Sequence, residues 1–583
     1  MNLYLYDRLR DHATQLLIDT AMVRHDAITL IQPKPSIPAD LAFPVFAVAK
    51  AANAGNPAEY ARKIAAAVVL PPDSWFESVG ALAGFVNFSV APGRFADGVV
   101  EEVLRLGADF GRDTTVGNGE KTVVEFSSPN IAKKMHVGHL RTTVIGNAIR
   151  NILGALGYDV VADNHLGDWG TQFGYLLAAF DTDGFPADMQ TDPINALVRI
   201  YSDFYGRSEA DPSLKDKARF WFRRLEQGDT WARDTWKMIV DISLAEFNRT
   251  YARLDIRFDT THGESYFEPM LEDILVDALA KGVAVIEPGG AVVVEFGDLL
   301  PSCLLRKTDG ATLYQTRDVA TCIYRWNEFR PTRNVYVVGA EQTLHFQQVF
   351  EIVRRLGYPD IADRSVHISF GMLTKATGEK FSARKGENIY LEEVLDEATA
   401  RARAKVLEQV AAGRSEVSGE TEIAATAEMI GLGSVIYADL FQGPERNIQF
   451  DWDKMLSNEG NTAPYIQYTY ARCRSILREA TGTYSGASGN PALLVAVEEQ
   501  AVLKQLARMP HAVREAGEKF LPATVAEWTY TLAREFARFY HECPVLKAPT
   551  QERRAARLIL VEAVAIGLRN GTALLGIKVP ERM

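Results

Sequence analysis

A change in the spacing of hydrophobic residues predicts a strand, a helix and a second strand in succession. Residues 121–128 form a short β-rich run, and residues 158–163 form another. Such a strand, crossover helix and strand form a right-handed unit that binds ligands at the carboxyl ends of its strands. The sequence therefore predicts a ligand site just before the helix. The apolar residues with helical spacing, which Gly157 ends, are Leu140, Val144, Ile145, Ile149, Ile152, Leu153 and Leu156.

The same pattern divides the rest of the chain into domains. The expected fold class is a multidomain α/β protein: an α+β N-terminal domain, a Rossmann-like parallel-sheet domain and an all-α C-terminal domain. Strands are expected at 84–90, 334–339 and 366–371, and a hairpin strand at 292–296. The predicted domain bounds are 1–110, 121–390 with a helical insertion near 195–255, a helical connection at 391–450, and 451–583.

Composition excludes several protein classes. Hydrophobic residues make up 47% of the 583 positions, as in soluble globular proteins. Residues 1–18 mix acids with bases, and no segment reaches the roughly 18 apolar residues of a membrane span, so a cytoplasmic protein without an export signal is expected. No Cys-x-x-Cys spacing indicates a zinc site or a disulfide framework, and small buried hydrophobes are expected at Cys303, Cys322, Cys473 and Cys543.

The motif His136-Val137-Gly138-His139 falls at the predicted ligand site. Two imidazoles beside the N–H groups of a helix start can stabilise a phosphate under attack, and Gly138 lets a nucleotide approach the backbone. This arrangement favours nucleotidyl transfer. The alternative is a metal site in which His165 supplies a third ligand.

A glycine- and lysine-rich run at 371–386 is the second candidate. Its cations could close over a triphosphate and neutralise departing pyrophosphate. The alternative is a solvated charge run. The cations are Lys375, Lys380, Arg384 and Lys385, with Gly378 and Gly386 as possible hinges.

Together these two motifs resemble the signature sequences of class I aminoacyl-tRNA synthetases, and the surrounding residues resemble the arginyl-tRNA synthetases in particular. The order of the matching segments along the whole chain makes the resemblance specific. The segments are Glu125-Phe126-Ser127-Ser128-Pro129-Asn130, residues 164–172, Gly263-Glu264-Ser265, residues 314–318 and residues 575–583.

The resemblance implies a set of catalytic residues. The second signature departs from the class pattern at Phe381 and Ala383, and the family implies that Lys133 supplies the missing phosphate contact. Adenine is expected against the backbone of Gly371 and Met372. The implied catalytic and ATP-binding residues are Lys133, His136, Gly138, His139, Lys380, Ser382, Arg384 and Lys385.

Arginine carries a planar cation with five donors, so a selective pocket needs one or two carboxylates. Glu125 and Asp318 meet that need, although each could instead form a surface ion pair. By resemblance both acids contact the guanidinium, and Asn130 and Gln342 hold the α-amino end. The remaining residues of the implied pocket are Ser128, Pro129, His139 and Tyr314.

Transfer RNA is the expected macromolecular partner. A net charge of −12 argues against indiscriminate nucleic-acid binding, yet a local basic patch can still bind a specific tRNA. Phe85 and Asn87 match contacts to the tRNA elbow, with ordinary packing as the alternative. Aromatic residues beside an arginine can stack on unpaired bases, although a helical aromatic stripe is more often core. The residues implied to face the anticodon are Tyr465, Tyr468, Arg472 and Met583.

The sequence therefore predicts a monomeric arginine–tRNA ligase that uses ATP with Mg²⁺ and has no dedicated metal site. Two alternatives remain: a class I synthetase for another amino acid, which Glu125 and Asp318 disfavour, and a non-catalytic tRNA-binding paralogue. His136, Gly138, His139 and Lys380 argue against the paralogue, whereas the substitution at Ala383 leaves it open.

Overall fold

An antiparallel sheet covered by helices forms the amino-terminal part of the protein. The computed structural model describes residues 4–31, 33, 37, 39–375, 390–480 and 489–583. The strand order is β1-β3-β2, and Val86, Phe88 and Val90 of the expected strand at 84–90 face the core. The elements are α1 (Leu5–Asp19), β1 (Leu41–Pro44), α2 (Phe46–Ala51), α3 (Pro57–Ala67), β2 (Phe76–Leu82), β3 (Phe85–Val90) and α4 (Pro92–Leu106).

The predicted strand–helix–strand unit comes next. It consists of β4 (Lys121–Glu125), α6 (Val137–Ala155) and β5 (Asp159–Asp163), and the short helix α5 (Thr114–Gly117) precedes it. β4 is shorter than predicted because Ser127 and Ser128 adopt left-handed backbone, with φ of 72° and 47°, which breaks an extended strand. α6 begins before the apolar pattern does, because His136 caps it.

Helices and a small antiparallel sheet follow β5. The helices are α7 (Thr171–Asp183), α8 (Pro193–Ala210), α9 (Pro212–Glu226), α10 (Thr230–Arg253), α11 (Glu264–Phe267) and α12 (Leu271–Ala280). The strands are β6 (Val285–Ile286), β7 (Val292–Val294) and β8 (Cys303–Arg306), in the order β6-β7-β8. The helical segment near 195–255 and the hairpin strand at 292–296 therefore match α8 to α10 and β7.

Two further strands complete the parallel sheet, whose order is β10-β9-β4-β5. The register pairs Glu125 with both Tyr336 and Asp163, so the carboxyl ends of three strands meet at one edge. The elements are α13 (Tyr314–Phe329), β9 (Arg333–Gly339), α14 (Thr343–Arg355), α15 (Pro359–Arg364), β10 (Ser365–Phe370) and β11 (Leu373–Lys375).

The remainder is almost wholly helical, as predicted. Among the described residues from 390 onward, the exception is β12 (Ile448–Phe450), which pairs in parallel with β11. Within the part of the chain that the structure describes, one helix, α17 (Glu420–Leu440), is long and apolar enough to cross a membrane, but 72% of its apolar window is buried inside the protein. The helices are α16 (Leu391–Ala411), α17 (Glu420–Leu440), α18 (Trp452–Met455), α19 (Ala463–Glu479), α20 (Val497–Ala507), α21 (Met509–Lys519), α22 (Ala523–Glu542) and α23 (Gln551–Leu574).

Candidate active site

The paired histidines bond to the backbone of the first turn of α6. The N–H of His136 donates to Nδ1 of His139 over 3.1 Å, and the N–H of Gly138 donates to Nδ1 of His136 over 3.0 Å. Because each Nδ1 is an acceptor, each neutral ring carries its proton on Nε2. The ring centroids lie 4.1 Å apart. The N–H of His139 also donates to the carbonyl of His136 over 2.8 Å, so the amides of His136, Gly138 and His139 are already bonded within this turn. The site therefore presents the two imidazole N–H donors at a helix start, and the expected unpaired amides are not found at these three positions.

Desolvation by the surrounding protein keeps both imidazoles neutral, although His136 is exposed at the surface and His139 is partly buried. It lowers the pKa of His136, and the charge of Lys133 adds to this shift. The pKa of His139 is lowered to about 3, first by burial and then by His136 and Lys133. A Cβ at Gly138 would lie 2.7 Å from Cε1 of His136, so glycine is required to leave that ring in place.

The loop between β4 and α6 is supported by α10. Oγ of Ser127 lies 2.7 Å from the hydroxyl of Tyr251, and the N–H of Ala132 donates to Oγ of Ser243 over 3.0 Å. Ser127 and Ala132 both have positive φ, and strained backbone of this kind persists where its surroundings fix it. The helical insertion therefore holds the loop that carries the first signature.

Asn130 projects from this loop beside a glycine. The N–H of Ile131 donates to the carbonyl of Gly167 over 3.1 Å. The N–H of Gly167 in turn donates to the carbonyl of Pro129 over 3.1 Å. A Cβ at Gly167 would lie 2.3 Å from Oδ1 of Asn130. Pro129 is buried and Asn130 exposed, while Oγ of Ser128 is buried without a hydrogen-bond partner among the described residues.

The two acids expected to contact a guanidinium have different neighbours. Glu125 is 6% exposed, and its Oε2 accepts a hydrogen bond from Nη2 of Arg325 over 2.6 Å. Asp318 contacts Nε2 of His345. Tyr314 lies one turn before Asp318 on α13 and is 63% exposed. Both carboxylates thus already have partners within the protein, and their proposed contacts with substrate remain predictions.

Gln342 extends the same edge of the sheet. It is the exposed N-cap residue of α14 and ends the short 3-10 turn Ala340–Gln342 that follows β9. Because β9 pairs with β4, the start of α14 lies near the end of the strand that carries Glu125. The fold therefore brings together the predicted pocket residues of β4, its following loop, α13 and α14.

Sequence reasoning missed a third acid, Glu264. Its Oε2 is buried without a hydrogen-bond partner among the described residues and lies 3.7 Å from Nη1 of Arg317. Burial raises the pKa of Glu264 to about 7, Arg317 and His165 oppose this shift, and Asp318 and Asp168 add to it. The sequence signal for Glu264 was the segment Gly263-Glu264-Ser265, which resembles the family but received no role in the predicted pocket.

The backbone expected to contact adenine is already hydrogen-bonded. The N–H of Gly371 donates to the carbonyl of Pro444 over 3.0 Å, and that of Met372 donates to Oδ1 of Asn447 over 2.8 Å. The carbonyl of Met372 accepts from Ile448 over 3.0 Å. A carbonyl oxygen has a second lone pair, so only the carbonyls remain available to an adenine amino group.

A buried arginine joins this segment to α6. Arg141 is 1% exposed, and its Nη1 donates to the carbonyls of Gly371 over 2.7 Å and Arg446 over 2.8 Å. Its Nε donates to Asp439 of α17 over 3.0 Å. The helix that carries both histidines is therefore fixed to the expected adenine site and to the helical region.

Most of the second signature, residues 376–389, lies outside the described residues. This includes the predicted catalytic residues Lys380, Ser382, Arg384 and Lys385. Beyond the gap, Tyr390 forms an antiparallel bridge with His136, and the N–H of Leu391 donates to the carbonyl of Met135 over 2.9 Å. The chain therefore re-enters the described structure beside the paired histidines.

The predicted elbow contacts lie on the outer face of β3. Phe85 and Asn87 are partly exposed, whereas the alternating residues Val86 and Phe88 are fully buried. Phe85 packs edge-to-face on Phe46, with centroids 5.3 Å apart, and Phe46 is 48% exposed. This pair forms an aromatic surface outside the main core.

The predicted anticodon residues form two groups on the helical region. Arg472 donates to the hydroxyl of Tyr468 over 2.6 Å, and its Cζ lies 4.6 Å from the centroid of that ring. Tyr465 packs against Tyr530 with centroids 5.8 Å apart. Met583 is partly buried against a cluster of α16 and α17, so it does not share this aromatic surface.

Metal-binding geometry is absent from the part of the chain that the structure describes: no group of three or more His, Cys, Asp or Glu residues could hold an ion. The ring of His165 packs on Phe267, with centroids 5.6 Å apart. The four cysteines are free and buried, as expected from their spacing.

Known families match both main parts of the chain. Residues 100–452 match the family described as tRNA synthetases class I (R), catalytic domain. Residues 466–583 match the DALR anticodon binding domain.

Similar proteins match over the full length. The arginine–tRNA ligases of Chloroflexus aurantiacus and Halothermothrix orenii are 46% and 37% identical to this chain and cover 100% and 99% of it, with equal shares of their own chains. The solved structure of Thermus thermophilus arginyl-tRNA synthetase covers 99% of this chain and 100% of its own, with a TM-score of 0.81 and 26% identity. The chain therefore belongs to the arginyl-tRNA synthetases, within class I.

Proposed function

We propose that the protein is an arginine–tRNA ligase that activates L-arginine with ATP and transfers it to the 3′ end of arginine tRNA. The observation that carries this proposal is the occurrence of three acids, Glu125, Asp318 and Glu264, on β4, α13 and α11, together with two histidines at the start of α6. Three acids suit a cationic side chain, and neutral N–H donors at a helix start suit a phosphate.

In the first step the carboxylate of arginine attacks the α-phosphorus of ATP, and the bond to pyrophosphate breaks. Nε2–H of His136 and of His139 donate to the phosphate oxygens on which charge accumulates, and Lys133 supplies a positive charge. Both histidines stay neutral, so they act as donors and transfer no proton. Mg²⁺ enters with the triphosphate and is held mainly by phosphate oxygens.

Recognition of arginine depends on charge and on hydrogen-bond geometry. Asp318 and Tyr314 occupy one face of α13, and Glu125 approaches from the end of β4. Glu264 adds a third carboxylate, whose buried Oε2 has no hydrogen-bond partner among the described residues and lies 3.7 Å from Nη1 of Arg317. Asn130 and Gln342, both exposed, bind the α-amino group.

In the second step a hydroxyl of the terminal ribose of the tRNA attacks the carbonyl carbon of arginyl-adenylate, and AMP leaves. Phe85 and Asn87 contact the tRNA elbow, and Tyr465, Tyr468, Arg472 and Met583 face the anticodon loop. The partly exposed rings on β3 and α19 support these roles, since exposed aromatic residues stack on unpaired bases.

The test is exchange of pyrophosphate into ATP, measured with arginine, lysine or glutamine, each with and without arginine tRNA. Exchange with arginine alone among the three supports the proposal, and a requirement for tRNA would add tRNA-dependent activation. Exchange with another amino acid would identify a different class I synthetase. Tight tRNA binding without exchange would identify a non-catalytic paralogue.

A further inference from the structure

Arg325 is buried directly behind the proposed arginine pocket. It lies on α13, the helix that also carries Tyr314 and Asp318. Asp318 follows Tyr314 by four residues and Arg325 follows Asp318 by seven, so the three residues share one face of the helix. Arg325 is only 1% exposed. A fully buried guanidinium is costly unless it is paired, so its partners indicate its role.

The partners of Arg325 are the last residues of two neighbouring strands. Glu125 ends β4 and Asp163 ends β5, and the two are paired in register. Nη2 of Arg325 donates to Oε2 of Glu125 over 2.6 Å, and its Nε donates to Oδ2 of Asp163 over 3.1 Å. Thr260 donates to the other oxygen of Asp163 over 2.6 Å. Arg325 therefore separates two adjacent carboxylates that would otherwise repel each other.

Two further titratable groups, Cys322 and Tyr336, interact with Arg325. Burial alone would lower the pKa of Arg325, but Glu125 and Asp163 outweigh it and raise that pKa. Burial raises the pKa of Cys322 to about 12 and also raises that of Tyr336, so both stay neutral. The cluster of Glu125, Asp163 and Arg325 therefore carries a single net negative charge.

We propose that Arg325 is a positioning residue for substrate recognition, which holds the carboxylate of Glu125 in an orientation that can meet the guanidinium of bound arginine. Asp163 takes part in this positioning because its carboxylate also binds Arg325 and offsets the positive charge of that residue. The residual negative charge of this cluster adds to the attraction that Asp318 and Glu264 exert on a cationic side chain. This inference rests on the proposed function, since it assigns the origin of selectivity within the same pocket.

The charge count predicts how three variants differ. Asp163→Asn leaves Glu125 and Arg325 mutually neutralised, so attraction for the substrate cation falls. Arg325→Met leaves two adjacent buried carboxylates, which share a proton and turn Glu125 towards Asp163. The double variant, Asp163→Asn with Arg325→Met, restores one negative charge on Glu125.

The experiment measures KM for arginine, KM for ATP and kcat in pyrophosphate exchange. We expect each single variant to raise KM for arginine about tenfold or more, with KM for ATP nearly unchanged. We expect the double variant to return KM for arginine to within about threefold of the wild type, because opposite charge changes compensate. Arg330→Met removes an exposed cation at the end of the same helix and should change neither KM for arginine nor KM for ATP.

Four outcomes are decisive. Unchanged KM for arginine in a folded Arg325→Met protein would overturn the inference, as would a double variant no better than the worse single variant. If Arg325→Met does not fold, Asp163→Asn and the double variant still give the comparison, and equal losses for arginine and ATP would indicate a purely structural role. If the wild type activates no amino acid, the proposed function itself fails.

Discussion

Nδ1 of His139 accepts the backbone N–H of His136, and this bond fixes which nitrogen of His139 can face a phosphate. The pKa of His139 is lowered to about 3, so the ring stays neutral as the pH falls from 8 to about 5. We predict a neutral His139 with its proton on Nε2 throughout that range. The ¹⁵N shifts of the ring nitrogens measure this directly, and protonation near pH 6 would contradict it.

Loss of the His139 donor should slow adenylate formation. Removal of one preorganised donor to a developing charge typically costs about 10² to 10³ in rate, and we expect His139→Ala to lower kcat for exchange by that order. His541→Ala, at an exposed imidazole on α22, is the control and should leave kcat unchanged. Loss of less than about threefold in His139→Ala would remove His139 from the mechanism.

Gly138→Ala should displace the neighbouring imidazole. The new Cβ would lie 2.7 Å from Cε1 of His136, so that ring must move. We expect kcat to fall about tenfold or more while KM for arginine changes little, because only the phosphate contact is misplaced. Gly154→Ala provides the control, since a Cβ there, in the same helix, meets nothing within 4 Å. Equal effects of the two substitutions would refute the argument.

Arginine binding should depend on pH through Glu264. The pKa of Glu264 is raised to about 7, so the carboxyl becomes neutral as the pH falls and loses its attraction for a guanidinium. We predict that KM for arginine rises as the pH is lowered from about 8 to about 6. Glu264→Gln should abolish this slope. Glu268→Gln, which removes the other acid paired with Arg317, should retain it.

Lys133 and Lys134 provide a comparison between adjacent cations. Lys133 is exposed beside the first signature, whereas the ammonium of Lys134 lies 5.1 Å from the ring centroid of Tyr390. We expect Lys133→Ala to slow arginyl-adenylate formation about tenfold or more, and Lys134→Ala to have a much smaller effect. A near-normal rate in Lys133→Ala, measured by single-turnover kinetics, would exclude Lys133 as the phosphate contact.

The sequence predicted the local part of the site well. The change from strand to helix spacing around His136 depends on neighbouring residues, and the structure confirms it within a few positions. Contacts between distant residues could not be predicted in this way. Arg325 pairs with Glu125 across 200 positions, and the short strands β11 and β12 pair only because the fold brings them together. Neither contact leaves a periodic pattern in the sequence.

Glu264 illustrates the same limit. An isolated acid within a short helix has no distinctive spacing, and its importance depends on burial beside Arg317 and Asp318. The resemblance of Gly263-Glu264-Ser265 to the family could mark the segment but not its place in the pocket. Only the fold shows that Glu264 pairs with Arg317 on α13, the helix that also carries Asp318.

The most direct test of arginine–tRNA ligase activity is charging of arginine tRNA with labelled arginine in the presence of ATP and Mg²⁺. Excess unlabelled lysine or citrulline is added as competitor, because citrulline has nearly the same shape without the charge. We predict a labelled ester at the 3′ end of the tRNA, undiminished by either competitor. Absence of labelled ester, or its loss to an equal excess of citrulline, would contradict the assignment of a carboxylate-lined, arginine-specific pocket.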